Sequence, residues 1–305
     1  TTISRSRSAS LDQLMEMEMA ETTGIAWCDS TWNGWIGCTE VSPGCDNCYA
    51  RELDKRHRYG GATHWGAGVP RYRTSAANWG KPLAWDKKAR ASGKRWLVFC
   101  NSLADVFDNE VPESWRIDLL HLIRETPRLT WLLLTKRTGN VAKMTDLAAY
   151  PNVWLGASVV NQEEADRDIP KLLATPAVKR FVSYEPALGP IDFMESCNGH
   201  HFSNFLNGAK WHDADGGAQE KTARLDWVIV GGESSQGDTK ARPFDIAWAR
   251  STVTQCKESG VPVFVKQLGP SPIERYEVGT ANGEGYRIHR FKDRAGADPA
   301  EWPVE

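Results

Sequence analysis

No stretch of this 305-residue chain approaches the roughly 20 consecutive apolar residues of a membrane-spanning helix, so no membrane partner is expected. Residues 1–23 contain no apolar core of signal-peptide length and read as a flexible N-terminal arm. Charge of one sign is also missing: 37 Lys and Arg against 39 Asp and Glu leave a net −2, which gives no global reason to expect nucleic acid or a lipid surface. The cysteines cannot all pair, because seven is an odd number, and the chain shows no export signal. That argues against a disulfide framework and fits a reducing cytoplasm. With 41% hydrophobic and 25% charged residues the composition is that of a folded globular protein.

What the cysteines do form is a cluster. The stretch "TWNGWIGCTEVSPGCDNCYARELDKRHR", residues 31–58, sets Cys38, Cys45 and Cys48 in a C-x6-C-x2-C pattern. A closed zinc site needs four ligands, usually as two close pairs, and no second pair follows. Cys28 or His57 can supply a fourth ligand, which leaves open a zinc-stabilised nucleic-acid-binding protein without catalysis. The other reading is a [4Fe–4S] cluster on three thiolates, with one iron left for a substrate or cofactor. Gly37, Pro43 and Gly44 suit a loop wrapped around a bulky group, and Trp32, Trp35 and Tyr49 can shield it from water. Cys100 and Cys256 read as packing residues and Cys197 as a loop cysteine.

Beyond residue 95 short apolar runs recur, each ending in polar residues: "RWLVFCNS", "TWLLLTKR", "VWLGAS", "RFVSYEP", "DWVIVGGES" and "VPVFVKQLG". Each predicts a buried strand, and helical patterns such as "VPESWRIDLLHLIRETP", "NQEEADRDIPKLLAT" and "FDIAWARSTVTQCKESG" separate them. This alternation predicts an α/β fold with a partial or near-complete parallel (β/α) barrel over residues 24–270; a doubly wound open sheet is the runner-up. "NGWIGC" is the expected first strand. In such a barrel the C-terminal strand ends share one mouth. Asn101, Ser102, Thr135, Lys136, Ser158, Glu185, Glu233, Lys266 and Gln267 would gather there with the cysteine loop. Residues 195–223, rich in Gly, Asn and His, read as an inserted loop or lid, and residues 271–305 as a C-terminal extension. The histidines His200, His201 and His212 of that insertion show no ligand spacing.

One segment is strongly basic. Residues 51–95 hold twelve Lys and Arg against three acids, interleaved with Tyr59, Trp65, Tyr72, Trp79 and Trp85. Cations beside stacking aromatics are expected of a nucleic-acid or modified-nucleotide contact, with Arg71 and Arg73 as leading candidates. The strand-end residues Lys136, Arg137, Lys266 and Gln267 are further candidates for substrate contact.

The motifs "TGIAWCDSTWNGWIGCTEVSPGCDNCYA", "VFCNSLADVF", "LLLTKR", "VWLGASV", "SYEPALGP", "DWVIVGGESS" and "VPVFVKQLG", together spanning about Thr23 to Gly269, resemble a bacteriophage and prophage protein family of unassigned function. That family is similar to an outlying branch of the radical S-adenosylmethionine (SAM) enzymes. The resemblance implies that Cys38, Cys45 and Cys48 hold a [4Fe–4S] cluster whose fourth iron is chelated by SAM. A one-electron reductant would then drive SAM cleavage to a deoxyadenosyl radical that abstracts hydrogen from a substrate carbon. By position, Asn101, Ser102 and Asp105 would face SAM, Ser158 and Glu185 its ribose and methionine ends, and Tyr49 the cluster. "GGES" (Gly231, Gly232, Glu233) matches the superfamily's Gly-Gly-Glu element in letters but ends a late strand instead of the second. The cysteine spacing also departs from the superfamily's usual C-x3-C-x2-C. Glu185 and Lys136 are the candidate catalytic groups. The implied setting is the cytoplasm of a bacterial host, and the implied reaction is hypermodification of phage thymidine, such as isomerisation of an aminoacyl-modified base. A radical SAM enzyme acting on a peptide or small metabolite is the remaining alternative.

Overall fold

Each apolar run between residues 96 and 267 forms a strand, in a computed structural model that describes residues 23–198, 201–212, 220–235, 239–270, 272–278, 283–293, 295 and 297–298. In chain order the strands are β1 (Ser30–Trp32), β2 (Trp35–Ile36), β3 (Tyr72–Arg73), β4 (Trp96–Cys100), β5 (Leu129–Thr135), β6 (Val153–Ser158), β7 (Lys179–Tyr184), β8 (Ser196–Asn198), β9 (His201–Ser203), β10 (Ala209–His212), β11 (Glu220–Lys221), β12 (Trp227–Gly231), β13 (Val263–Gln267), β14 (Ile273–Val278) and β15 (Gly283–Ile288). Seven of them form one sheet in the order β1-β4-β5-β6-β7-β12-β13, every neighbouring pair parallel. The order follows the chain without reversal. A doubly wound sheet reverses at a switch point, so that alternative is excluded.

The sheet curls into a half-barrel. Alternate residues face opposite sides of a strand. Val98, Trp131, Leu155, Val182 and Val230 point outward into the main core with the helices. Phe99, Leu132, Phe181 and Ile229 point inward, where they pack with Trp27. Neighbouring strands lie about 4.8 Å apart, so a flat sheet would separate β4 from β12 by roughly 19 Å. Yet the Trp27 ring lies 4.7 Å from Phe99 on β4, 6.4 Å from Phe181 on β7 and 6.1 Å from Trp227 on β12. One indole reaches all three only because the strands bend around it. Gly156 on β6 leaves room for this layer: a Cβ there would stand 2.4 Å from the Phe181 ring.

The helices Glu113–Glu125, Gln162–Ala174 and Ile246–Glu258 form where the apolar periodicity places them. Asn161 caps the second by accepting a hydrogen bond from the Glu164 amide at 3.0 Å. Gly260, at φ +64°, follows the third in the left-handed conformation that glycine favours.

Two expectations need correction. The first sheet strand is Ser30–Trp32, and "NGWIGC" instead supplies β2, which pairs antiparallel with β3 outside the main sheet. The described residues of the insertion 195–223 carry a four-stranded antiparallel sheet, β11-β10-β9-β8, between β7 and β12, where a crossover helix would be. It is anchored by Phe205 and Leu206, both buried in the main core. His200 and the side chains of His201 and His212 lie outside what is described, as does the arm up to residue 22. In the expected C-terminal extension, β14 and β15 pair antiparallel. Among the described residues no helix is long and apolar enough to cross a membrane.

If Trp27 is the plug that sets the curl, Trp27→Ala removes a large buried ring and costs about 3–5 kcal/mol. Urea unfolding measures this, and a loss under about 1 kcal/mol contradicts the role.

Candidate functional site

The inward parity that buries Phe99 and Phe181 continues two residues further to Asn101, Ser158, Ser183, Gly231 and Lys266. Past the end of β7 it reaches Glu185. These positions end the strands, and most of them line one cavity of about 440 Å³. Cys38, Cys45 and Cys48 line the same cavity, as do Tyr49, Ser102, Asp105, Lys136, Arg137, Gly232, Glu233 and Gln267. Arg71 and Arg73 do not line it.

The cysteine loop is fixed by local geometry. Gly37 has φ +109°, and a Cβ there would lie 2.2 Å from the His64 carbonyl oxygen, so only glycine fits before Cys38. Ser42 accepts from the Gly44 amide at 3.0 Å and caps the turn Pro43–Cys45. The Cys48 amide then donates to the Cys45 carbonyl at 3.2 Å, and Cys48 opens the helix Tyr49–His57 as its N-cap. A helix N-terminus favours a thiolate. Here burial dominates: it pushes the Cys38 thiol up to about 12, helped by Asp105 and opposed by Arg137, and it raises Cys48 as well.

All three thiols are free. Among the described residues, no three His, Cys, Asp or Glu side chains converge closely enough to hold a single ion. The Cys28 thiol donates to the Ile25 carbonyl at 3.7 Å, and His57 lies against Tyr59, 5.6 Å between ring centroids. Neither Cys28 nor His57 lines the cavity that the three cysteines share. A set of sulfur-only donors spread around a shared cavity fits an iron–sulfur group better than one small ion.

The polar layer divides into groups that are already paired and groups that are not. Asp105 is saturated: it accepts from the Thr135 hydroxyl at 2.8 Å, from the amides of Phe107 and Lys136 at 2.9 and 3.1 Å, and from Arg137 at 3.2 Å. Glu233 is equally occupied, by Arg242 at 2.6 and 3.1 Å and by Asn47 at 2.7 Å. Arg242 also donates to the Pro43 carbonyl at 2.9 Å and to Asp46 at 3.1 Å. Glu233 thus clamps the cysteine loop instead of waiting for a ligand. Gln267 donates to the Gly232 carbonyl at 2.8 Å and to Ser234 at 2.7 Å. Tyr49 donates from its hydroxyl to the Ser102 carbonyl at 2.6 Å, and the Ser102 hydroxyl accepts from Asn33 at 3.2 Å.

Asn101 and Glu185 keep capacity in reserve. Asn101 is buried at φ +58°; its Oδ1 accepts from the Gly34 amide at 2.9 Å, while its Nδ2 has no partner. Glu185 Oε2 accepts from Ser183 at 3.2 Å, and Ser158 donates to the Glu185 carbonyl at 3.3 Å. The Lys266 ammonium stands 3.2 Å from Glu185 Oε1 as an ion pair, but out of line for a hydrogen bond. Gly231 leaves space for that carboxylate, since a Cβ would approach Oε1 to 2.6 Å.

The basic stretch 51–95 does not assemble as expected. Arg71 is fully buried: its guanidinium pairs with Asp108 at 2.7 Å and Glu110 at 3.1 Å and donates to the carbonyls of His64, Gly66 and Val69. Arg73 lies over the Trp79 ring at 4.4 Å and pairs with Asp118 at 2.7 Å. Tyr59 and Trp85 are buried in the core, unable to stack on bases. The helix Ala76–Ser92 runs back against the strands into the start of β4. The basic residues Lys87 to Arg95, in the last turns of that helix and the link to β4, therefore lie toward the N-terminal strand ends, opposite the cavity. Sequence reasoning also missed Ser183, which the period of two would have found. Arg242, 199 residues from Pro43, gives no local signal at all.

A family profile described as "Protein of unknown function (DUF5131)" matches residues 22–294, and the chain belongs to that family. A search of curated proteins finds no match. Among solved structures, a cysteine-to-serine mutant of spore photoproduct lyase aligns over 95% of this chain and 80% of its own, at 9% identity and a TM-score of 0.39. Likeness at that level assigns this chain neither cofactor nor substrate.

Arg71→Met would strand Asp108 and Glu110 and is expected to cost about 3–5 kcal/mol in chemical unfolding. A variant as stable as the parent would contradict the buried network. Burial opposes ionisation of Glu233, but Arg242 and Asn47 outweigh it and hold the carboxyl below its usual value. With the folded pKa lowered, this stabilisation is complete above the unfolded carboxylate value of about 4.3 and is lost as pH falls through the lower folded value. The stability advantage of the parent over Glu233→Gln should therefore hold at neutral pH and shrink in acid. An advantage that grows on acidification contradicts the clamp.

Proposed function

For this member of the DUF5131 family we propose a radical SAM enzyme, with Cys38, Cys45 and Cys48 as the protein ligands of a [4Fe–4S] cluster. The observation that carries it is the meeting of three free thiols with a polar strand-end layer around one cavity, at the C-terminal mouth of a parallel half-barrel. When bound, cluster and SAM supply one-electron reductive cleavage of the sulfonium and, with it, hydrogen abstraction from a substrate carbon.

The chain's own residues do the rest. Asn101 Nδ2 is a buried donor awaiting an acceptor, because an unpaired buried amide costs about 1–3 kcal/mol that a ligand can recover. Glu185 with Lys266 offers one charge of each sign, suited to a zwitterionic amino-acid end. Trp27, Phe99 and Leu134 close the floor of the cavity and keep water from below.

The finer part of the proposal is a nucleic-acid or modified-nucleotide substrate, with thymidine hypermodification as the reaction. Its support is narrower than the basic composition implied: Lys136 and Lys266 line the cavity and Arg51 stands on the helix that leaves the cysteine loop, whereas Arg71 is buried. Anaerobic reconstitution tests the whole. Sulfide-containing iron protein, reductant and SAM should yield methionine and deoxyadenosine, with the yield raised by modified DNA. Cys38→Ala, Cys45→Ala and Cys48→Ala should each abolish it. One bound zinc, no acid-labile sulfide and intact SAM would overturn the enzyme reading. Turnover raised by a peptide but by no nucleic acid would overturn only the substrate.

A further inference from the structure

The three cysteines of the cavity do not have equivalent surroundings. Cys48 starts a helix, and its sulfur faces the amides of Ala50 and Arg51. Cys38 faces a cation. Arg137 Nη1 lies 3.3 Å from Cys38 Sγ and 3.2 Å from Asp105 Oδ2. Arg137 Nη2 donates to the Thr39 carbonyl at 2.7 Å and stands 3.6 Å from Asp108 Oδ1. The Arg137 side chain is only 8% exposed, and its two carboxylate partners 9% and 2%.

This guanidinium is held from every side. Its own amide donates to the Thr135 hydroxyl at 2.8 Å, which in turn donates to Asp105. Asp108 is fixed by Arg71, and Arg71 also reaches Thr39 Oγ1 at 2.7 Å, beside Cys38. Two buried arginines and two buried aspartates thus form one lattice with a single sulfur at its edge. Buried charge that is paired this completely has a fixed direction.

We propose that Arg137 is a positioning residue that orients Cys38 Sγ and, by a charge-assisted hydrogen bond to that sulfur alone, raises the reduction potential of the cluster read under Proposed function. The inference rests on that reading. Hydrogen bonds to cluster sulfurs stabilise the more negative, reduced form and so raise its potential. The balance is simple: one electron from a low-potential one-electron reductant enters the cluster, and no bond of the protein is made or broken. Asp105 then acts through Arg137, aiming the fork at sulfur, and is itself already saturated.

The test compares reconstituted parent, Arg137→Lys and the double variant Arg137→Met with Asp105→Asn. The double variant removes one charge of each sign, so it leaves no carboxylate stranded and keeps the local charge. Lysine keeps the charge but loses the planar fork. Redox titration reads the midpoint potential, and iron and sulfide analysis reads occupancy. With occupancy retained, the double variant is expected to show at least a tenfold smaller reduced-to-oxidised ratio at fixed poise, about 59 mV for one electron. Arg137→Lys should fall between it and the parent, and decides alone if the double variant does not fold. Potentials equal to the parent's at full occupancy overturn the role of Arg137 and leave the enzyme reading intact. A parent that takes up no iron and sulfide overturns both.

Discussion

Everything at the cavity depends on the sheet being bent far enough for inward residues of distant strands to meet. Trp27 is the agent of that bend, with Phe99, Phe181 and Trp227 packed on one indole. The apolar layer settles which parity faces inward on every strand. The next inward residue then has no choice but to join the mouth. Asn101, Ser158, Ser183, Glu185 and Lys266 gather around one cavity because an aromatic layer beneath them fixes their direction.

A second constraint is electrostatic. Burial opposes ionisation of two of the three thiols: it pushes Cys38 up to about 12 and raises Cys48. Ligation would have to displace those protons. The surroundings are arranged to favour the charged product, with Arg137 at Cys38 and a helix N-terminus at Cys48. The clamp from Glu233 through Arg242 to Asp46 and Pro43 ties this loop to the far side of the half-barrel. The loop is thereby held at both ends without a strand pair closing β1 on β13.

Much of this was legible in the sequence, for physical reasons that also explain what was not. Buried parallel strands advertise themselves as apolar runs, and their polar ends mark the mouth, so six strands and most of the cavity layer were readable. β1 is only Ser-Thr-Trp, too short and polar to stand out beside the longer run that contains β2. The insertion shows no apolar period in sequence, and among its described side chains Phe205 and Leu206, adjacent residues between strands, are buried in the main core. Arg71 shows the limit of counting charge. Composition registers a cation but not the Asp108 and Glu110 that neutralise it from 37 and 39 residues away. Glu233 is alike, since its three-letter motif says nothing of Arg242, which pairs with it.

The central claim is that one iron of a sulfur-bridged cluster lacks a protein ligand and takes SAM. Mössbauer spectra of the iron-57 protein, recorded with and without SAM, address it directly. The account predicts that a single iron site changes its isomer shift and quadrupole splitting when SAM is added, while the sites on Cys38, Cys45 and Cys48 stay as they were. Spectra that do not respond to SAM, from a cluster shown to be intact, would contradict it.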